Sequence, residues 1–292
     1  MEYHKPVMLN EVLAHLSVKR GGRYIDCTLG DGGHAVEILK LGGNVLGIDV
    51  NAFSLEKAKS RVGDLGLSKS FIGVKANFKD VDKIAQKVGF EKANGILYDL
   101  GWSSSQLDET QLGLSFQRDE ALDMRIDESL GVTAADLVNS LSEKELAELI
   151  FRFSGERLAK RFARVIIKNR NLKKIQTTKE LADILVSEAP WGYESGRIHP
   201  ATRVFLALRI AVNDEIENLE QSLPRAARLL LPGGRMVIIS FQSLEDKVAK
   251  EFGRSAQPLV KELYKRPLTP TLEEIRDNVR ARSAKMRVLE RI

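Results

Sequence analysis

Glycines and carboxylates near the start of the chain follow apolar runs at a spacing that suits nucleoside binding. The run that begins at Tyr24 ends in a glycine-dense turn, Gly30-Asp-Gly-Gly-His34, and a second run ends in Asp49. Glycine lets the backbone approach a ligand closely because it lacks a Cβ, and the first amides of the following helix are unpaired donors. Asp49 lies about 20 residues beyond the glycines, where an acid pairs with ribose hydroxyls. The spacing predicts an adenosine-containing cofactor.

Two cofactor classes fit this element. Gly30-x-Gly32-x-x-Ala35 satisfies the dinucleotide fingerprint and leaves a nicotinamide cofactor open. S-adenosylmethionine is favoured by Asp26, an acid at the end of the first predicted strand. Asp31 favours it too, because an acid in the turn suits an ammonium group better than a pyrophosphate. A glycine-rich turn without any ligand is the weaker alternative, since an acid also follows the second run.

A second cluster with chemical potential, Asp99-Leu-Gly-Trp102-Ser103, follows the fourth predicted strand. The lone pair of an exocyclic nucleobase amine is delocalised into the ring, and an acceptor for its N–H groups restores nucleophilicity. We expect Asp99 to supply that acceptor with the carbonyl of Leu100, and Trp102 to stack on a flipped base. Asp99, Trp102 and Ser103 are therefore the expected catalytic residues. A strand-end cap for Asp99 and loop packing for Trp102 are the alternatives.

The cysteine and histidine content excludes other chemistries. Cys27 is the single cysteine, which rules out an intrachain disulfide and fits a reducing cytoplasm. A C5-cytosine methyltransferase needs a thiolate nucleophile, but Cys27 lies within the first predicted strand and is expected to be a small buried hydrophobe. The four histidines, at 4, 15, 34 and 199, lack metal-ligand spacing, so no catalytic metal is expected.

The composition is that of an ordinary globular protein with a slight basic excess. The 292 residues include 45 Lys and Arg against 40 Asp and Glu, for a net charge of +5. That excess permits a nucleic-acid partner without requiring one. The N-terminus lacks the apolar core of a signal peptide, and no run approaches the roughly 18 apolar residues that span a bilayer. We expect a cytoplasmic protein with no membrane partner.

Strand-like and helical patterns alternate through the first hundred residues, which predicts a parallel sheet with helices on both faces. The predicted strands are 23–28, 44–49, 70–75 and 94–99, and the predicted helices lie near 7–16, 34–41, 52–62 and 79–87. After Leu107 the alternation stops, and helices are predicted at 133–140, 143–152, 156–169, 178–188 and 201–222. A strand is predicted to return at 231–241, after a Pro-Gly-Gly turn.

The pattern predicts one α/β domain, residues 1–107 and 206–292, split by a helical insertion at 108–205. Segments 259–264 and 285–291 alternate apolar and polar residues, as half-buried edge strands do. A closing antiparallel pair of this kind is the usual ending of the Rossmann-like sheet in class I S-adenosylmethionine-dependent methyltransferases, which favours that cofactor and fold class.

One helix of the insertion carries a one-sided basic stripe. Its members recur at spacings of three and four: Arg157, Lys160, Arg161, Arg164 and Lys168. A solvated helix face is the usual explanation for such a stripe. Because few acids are interleaved after Glu156, we expect a track for a phosphate backbone and an RNA-binding role for the insertion.

Nearly end to end, the chain resembles the bacterial RsmH/MraW family of 16S ribosomal RNA cytosine-N4 methyltransferases. The matching segments are His4-x-Pro-Val-Met8, Asp26–His34, Asp99–Asp108, Ser115–Arg125, Gly155–Arg161, His199–Arg203, Leu208–Asn213, Ser240–Asp246 and Arg280–Lys285. The resemblance implies methyl transfer from S-adenosylmethionine to the N4 of a decoding-region cytidine, with small-subunit ribosomal RNA or the small ribosomal subunit as partner. It also implies a methyltransferase fold split by a helical insertion.

The resemblance also implies individual roles. By motif, the cofactor contacts fall on Gly32, Gly33, His34, Asp49, Phe78, Asp99 and Gln106. Phe78 would pack on the adenine, and Gln106 would hold the far side of the cofactor. Three residues depart from the family pattern: Trp102 replaces an aliphatic residue, Ser105 a proline and Gln242 a histidine. An amide does not titrate near neutrality, so Gln242 leaves the general base open.

Two other functional classes remain open on the sequence. One is a nicotinamide-dependent oxidoreductase, supported by the glycine spacing alone. The other is a noncatalytic ribosome-assembly factor that keeps the fold, which Gln242 makes conceivable and the intact Asp99 motif opposes.

Overall fold

The computed structural model describes residues 5–101 and 112–292, which form two compact units. The described part of the first unit is 5–101 and 216–292, and that of the second is 112–215. In chain order the elements are α1 Leu9–Leu16, β1 Arg23–Asp26, α2 Gly33–Lys40, β2 Asn44–Asp49, α3 Ala52–Asp64, β3 Phe71–Lys75, α4 Val81–Lys87, β4 Ala93–Asp99, α5 Ala134–Ser140, α6 Glu143–Ser154, α7 Ala159–Arg170, α8 Thr178–Glu188, α9 Ala201–Val212, α10 Glu215–Leu229, β5 Leu230–Ser240, α11 Ser243–Ser255, β6 Val260–Glu262, α12 Leu272–Asp277 and β7 Lys285–Arg291. Short 3-10 turns occur at Ser68–Ser70, Phe78–Asp80, Tyr193–Gly196 and Val279–Ser283.

The first unit is built on a seven-stranded sheet in the order β3-β2-β1-β4-β5-β7-β6. The first five strands in that order are parallel, and β7 pairs antiparallel with both β5 and β6. Successive residues of β4 face opposite sides, so Ile96 and Tyr98 enter one apolar core while Leu97 enters the other. A sheet buried on both faces explains the continuous apolar runs of the sequence. The predicted α/β sheet with helices on both faces is confirmed.

The C-terminal strands correct one expectation. Segment 285–291 was expected to be a half-buried edge strand, but β7 lies inside the sheet between β5 and β6. The side chains from Met286 to Leu289 are buried. The prediction from the alternating pattern is wrong because both faces of β7 are covered. The polar residue Arg287 is buried in this position and pairs with Asp246 at 2.7 Å. The edge on this side is β6, only three residues long.

The second unit is helical, with an apolar core shared by α5 to α9. The predicted helix 201–222 is wrong, since it is two helices separated at Asn213 and Asp214. Asp214 has a left-handed φ of 49°. The Asn213 side chain accepts from the Ile126 N–H at 2.9 Å and donates to the Met124 carbonyl at 2.8 Å. These bonds hold the break in place.

The division into units differs from the expected insertion at 108–205, because the second unit extends to Glu215. Helix α9 accounts for most of the difference. Its apolar residues Val204, Phe205 and Leu208 belong to the core of the second unit.

Candidate active site

The glycine turn after β1 is closed by the acid at the end of β2. The Gly30 N–H donates to Asp49 Oδ2 at 2.8 Å, and the Asn51 N–H donates to Asp49 Oδ1 at 2.8 Å. Gly30 and Gly32 adopt left-handed φ values of 51° and 75°, which favour glycine. The two motifs that the sequence placed 19 residues apart therefore meet directly.

Close packing explains two of the glycines, and open space surrounds the third. A Cβ on Gly32 would lie 3.2 Å from the Ala58 Cβ, and one on Gly33 would lie 3.3 Å from the Pro6 side chain. A Cβ on Gly30 would meet no atom within 4 Å. A ligand at this turn can thus reach the backbone of Gly30, while Gly32 and Gly33 let the surrounding chain pack closely.

Three carboxyl groups cluster at the carboxyl ends of the adjacent strands β2, β1 and β4. Asp26, Asp49 and Asp99 belong to these ends, and the first two are more than nine-tenths buried. Burial raises the pKa of Asp26 to about 7 and that of Asp49 to about 6. The pKa of Asp99 is raised to about 8 by burial and by the Asp26 and Glu245 carboxyls. The cluster favours a ligand that brings positive charge or hydrogen-bond donors.

Asp99 has an unused hydrogen-bonding atom. Its backbone N–H donates to Thr28 Oγ1 at 2.6 Å, and the Leu100 N–H donates to the Ile239 carbonyl at 3.0 Å. These bonds fix the end of β4 between its neighbours. Asp99 Oδ1 is buried and bonds to no atom of the described residues. A buried carboxyl oxygen without a partner is costly, so this atom is suited to accept a donor from a ligand.

His34 faces two protein groups from the first turn of α2. Its Nε2 lies 3.0 Å from the Val7 carbonyl oxygen, and its Nδ1 lies 3.6 Å from Asp99 Oδ2. The ring is buried. The cofactor contact expected at His34 stays a prediction, and the ring lies between the Val7 carbonyl and the Asp99 carboxyl.

Phe78 is held beside the end of β4 by an aromatic contact and a shared hydroxyl. Its ring meets Tyr98 edge to face, with centroids 5.7 Å apart. The Ser222 hydroxyl, on α10, donates to the Phe78 carbonyl at 2.8 Å and also bonds to the Tyr98 hydroxyl. The predicted packing of Phe78 against an adenine stays a prediction, on a ring whose position is fixed by two neighbours.

Cys27 matches its expectation. The thiol is buried in the core of the sheet, and burial raises its pKa well above the usual value. A thiol of this kind is a poor nucleophile.

Comparison with known proteins decides the family. The model of the MraW methylase family matches residues 1–292. The chain belongs to this family. It is 43% identical over 311 residues to the ribosomal RNA small subunit methyltransferase H of Carboxydothermus hydrogenoformans, covering 100% of this chain and 99% of that protein. The corresponding enzyme of Nostoc sp. is 43% identical over 290 residues, covering 99% and 92%.

Membership of the MraW methylase family confirms the predicted resemblance and methyltransferase fold class. It also resolves the choice of cofactor in favour of S-adenosylmethionine over a nicotinamide dinucleotide. Three features of the described residues are compatible with that cofactor. No atom lies within 4 Å of where a Cβ of Gly30 would stand, an acid ends β2, and the buried acid cluster suits a sulfonium and an ammonium group. The ribose contact of Asp49 stays a prediction.

The segment around Gln242 contains a buried acid that sequence reasoning missed. Glu245 Oε2 accepts from the Phe241 and Gln242 N–H groups at 2.9 and 3.1 Å. Glu245 is buried, and its charge contributes to the raised pKa of Asp99. Gln242 Oε1 is buried and bonds to no described residue. The sequence signal for this acid is the Ser-Phe-x-Ser-Leu-Glu motif, which places Glu245 three residues after Gln242.

Several expected site residues lie outside the described residues. They are Trp102, Ser103, Ser105 and Gln106, together with His4 of the first family motif. The catalytic roles expected of Trp102 and Ser103, and the cofactor contact expected of Gln106, stay predictions.

Four of the five members of the basic stripe lie on the exposed side of α7, opposite the buried Phe162 and Ile166. The fifth, Arg157, lies two residues before the helix begins, so the predicted helix 156–169 starts later than expected. Arg161 pairs with Glu188 at 3.2 Å and Arg164 with Glu143 at 3.4 Å. Both pairs are exposed and are each worth about 0.2–1 kcal/mol. Across residues 5–101 and 112–292, no acid lies within 4.0 Å of the remaining members. These are Arg157, Lys160 and Lys168.

Two negative findings concern the described residues only. No group of three or more potential ligands among them could hold a metal ion. None of their helices combines the length and apolarity that crossing a membrane demands.

Proposed function

We propose that this protein transfers a methyl group from S-adenosylmethionine to the exocyclic N4 of a cytidine in the decoding region of small-subunit ribosomal RNA. The relatives named above are small-subunit ribosomal RNA methyltransferases, which supports the substrate class. The observation that carries the chemistry is the unpartnered Asp99 Oδ1 at the end of β4.

The cofactor supplies an electrophilic methyl group on a sulfonium, and the residues of this chain prepare the amine that attacks it. Asp99 Oδ1 accepts one N–H of the target amine, which directs the nitrogen lone pair away from the ring. Bound there, the cofactor would supply a methyl group whose bond to sulfur breaks as the bond to nitrogen forms, with S-adenosylhomocysteine as the leaving group. The amine then loses one proton.

Asp99 is also the group that can take this proton. Its pKa, raised to about 8, is close to neutrality, where a general base is most effective. Gln242 stands where the family resemblance implies a histidine, and an amide cannot titrate near neutrality. An opposite charge nearby lowers the pKa of a carboxyl, so Asp99 ionises more readily when the cationic cofactor is bound.

Cofactor binding is assigned to the first unit. Asp49 accepts the ribose hydroxyls and Phe78 packs on the adenine. The rest of the cofactor contacts the backbone of Gly32, Gly33 and His34. RNA binding is assigned to the second unit, residues 112–215 of the described chain, through the basic stripe on α7.

Nucleoside mass spectrometry tests the proposal. Small subunits from cells lacking the protein should gain N4-methylcytidine when incubated with purified protein and S-adenosylmethionine. Asp99→Asn should abolish most of the product, and Asp64→Asn, which changes an exposed acid on α3, should not. Methylation at a different atom, or none with wild-type protein, would overturn the proposal. A parallel reaction with naked ribosomal RNA shows whether the enzyme requires an assembled small subunit as its substrate.

A further inference from the structure

The turn between α8 and α9 presents a fully exposed tryptophan. Trp191 has a relative accessibility of 103%, the highest among the exposed large hydrophobic side chains of the described residues. Aromatic side chains of this size bury about 150–250 Å² in most settings. Neighbouring residues of the turn, from Gly192 to Arg197, are polar or glycine except for Tyr193. Trp191 is therefore a single large aromatic surface in polar surroundings.

The turn that follows Trp191 is anchored on a buried acid. Glu156 is 1% exposed and accepts from the Tyr193 hydroxyl at 2.5 Å and from the Leu158 N–H at 2.7 Å. Arg203 joins the same network, since its Nη1 lies 3.5 Å from Glu156 Oε2 and 2.6 Å from Glu194 Oε1. The turn is thus tied to the start of α7.

The backbone of this turn is held in an uncommon conformation. Glu194 and Ser195 have left-handed φ values of 46° and 54°, between Gly192 at 73° and Gly196 at 72°. Two consecutive non-glycine residues in this region are strained, and such strain persists only where the surroundings impose it. The anchored network imposes it here, so Trp191 emerges from a fixed turn.

The same network places Trp191 near the basic stripe. Glu188, three residues before Trp191, pairs with Arg161 on the first turns of α7. Tyr193, two residues after it, contacts Glu156 and the ring of Phe162 at a centroid distance of 6.2 Å. Consecutive Cα atoms are 3.8 Å apart, so the Trp191 Cα lies at most about 7.6 Å from that of Tyr193.

Three cations around this end of the unit are exposed and have no acid within 4.0 Å among the described residues: Arg157, Lys160 and Arg197. They belong to the start of α7 and to the end of the turn itself. An aromatic face flanked by unpaired cations is the arrangement that binds single-stranded nucleic acid, because bases stack on the ring and phosphates meet the charges.

We propose that Trp191 is a stacking platform for an unpaired base of the RNA substrate, with Arg157, Lys160 and Arg197 binding the adjoining phosphates. The proposal rests on the proposed function and goes beyond it by assigning a base contact to Trp191, a residue that belongs neither to the basic stripe nor to the methyl-transfer site. A duplex hides its base faces in stacking, so the platform selects single-stranded RNA. A protein partner would require a wider apolar surface than one ring among charges.

Tryptophan fluorescence measures this contact directly. The chain has two tryptophans, and Trp102→Phe, used for binding only, leaves Trp191 as the single fluorophore. A short single-stranded oligoribonucleotide should quench its emission, and the same sequence in a perfect duplex should not. Trp191→Ala should weaken single-strand binding about tenfold, in line with stacking of one base, while Trp191→Phe retains most of it.

Matched controls exclude a general surface effect. Leu172→Ala removes another exposed apolar side chain of the second unit, 83% exposed, and Lys179→Gln removes an exposed charge on α8. Neither should change binding. Equal quenching by single strand and duplex, or unchanged affinity in a folded Trp191→Ala protein, would overturn the platform. Weaker binding to intact small subunits but not to naked RNA would show a protein contact and would overturn it as well.

The test of the Trp191 platform can be distinguished from the test of the proposed function. Wild-type methylation together with unaltered RNA binding by Trp191→Ala would reject the platform and leave the function standing. Specific quenching of Trp191 by single-stranded RNA, without methyl transfer by the wild-type protein, would reject the function and support the platform.

Discussion

His34 Nδ1 lies 3.6 Å from Asp99 Oδ2, while His34 Nε2 lies 3.0 Å from the Val7 carbonyl oxygen. A carbonyl only accepts, so Nε2 carries a proton and donates it to the Val7 carbonyl. His34 thereby joins the segment before α1 to the end of β4. Burial, together with the Asp26 and Glu245 carboxyls, raises the pKa of Asp99 to about 8, so the Asp99 carboxyl is largely protonated at neutral pH in the free protein.

The first prediction concerns stability against pH. The pKa of Asp99 is raised from 3.8 to about 8 on folding, so its contribution is fully present below the unfolded pKa and is lost as pH rises through about 8. The Asp99→Asn variant does not lose this stabilisation at high pH, because an amide does not titrate. As pH rises from about 5 to about 8.5, the free energy of unfolding of the variant should increase relative to that of the wild type, by roughly 1–3 kcal/mol at the alkaline end. Thermal unfolding of the free proteins across pH measures it, and parallel curves would contradict it.

The second prediction concerns turnover. Asp99→Ala removes the acceptor that orients the target amine, and methyl transfer should fall well over tenfold. Because Asp99 is also an expected cofactor contact, the rate must be measured at saturating S-adenosylmethionine. Near-normal turnover under that condition would remove Asp99 from the chemistry, whereas a loss confined to KM for the cofactor would limit it to binding.

The third prediction concerns the ribose acid. Asp49→Ala should weaken S-adenosylmethionine binding by about 1–3 kcal/mol, because the hydroxyls and the Gly30 and Asn51 amides lose their acceptor. Calorimetry measures the change, with Asp64→Ala as the control. Unaltered affinity would exclude Asp49 from the site.

A fourth prediction follows from the pKa of Asp49, which burial raises to about 6. Below that pH the carboxyl is protonated and accepts hydroxyl donors less well. Cofactor affinity should therefore fall several-fold as pH is lowered from about 7 to about 5. The same calorimetric series on Asp49→Asn should be flatter, since the amide does not titrate; matching slopes would assign the effect to another group.

The fifth prediction separates the members of the basic stripe. Lys160 and Lys168 have no acid within 4.0 Å in the described chain, whereas Arg161 and Arg164 are paired. Replacing Lys160 and Lys168 with Gln should weaken small-subunit binding and reduce its salt slope by roughly one unit per lost phosphate contact. Cofactor affinity should not change. A salt titration identical to wild type would show that the stripe only solvates α7.

The sequence predicts the position of a site residue well when that position depends only on the strand that carries the residue. Asp26, Asp49 and Asp99 end parallel strands, and the carboxyl ends of such strands share one edge of the sheet. Their clustering could thus be predicted from three separate segments. The sequence was silent on their protonation, because the pKa of each depends on burial and on neighbours from other strands.

Features that depend on distant partners escaped prediction. Apolar periodicity runs through Asn213 and Asp214, and the break there is held by Met124 and Ile126, about 90 residues earlier. The ion pairs of Arg161 and Arg164 join α7 to acids on α8 and α6, which no local pattern reveals. β7 is an interior strand only because β6 pairs with its outer edge, which the local sequence of β7 does not reveal.

The place of β7 in the sheet has a consequence for biosynthesis. β7 follows all of its neighbours in chain order, yet it lies between β5 and β6, and within the described residues β6 pairs with no other strand. Domains generally fold as units during translation, beginning from the N-terminal side. Strands β1 to β5 can assemble as the nascent chain lengthens, but β5 keeps an open edge until residues 285–291 leave the ribosome. A chain halted before that point would expose an apolar strand edge, which marks it for chaperones or proteolysis.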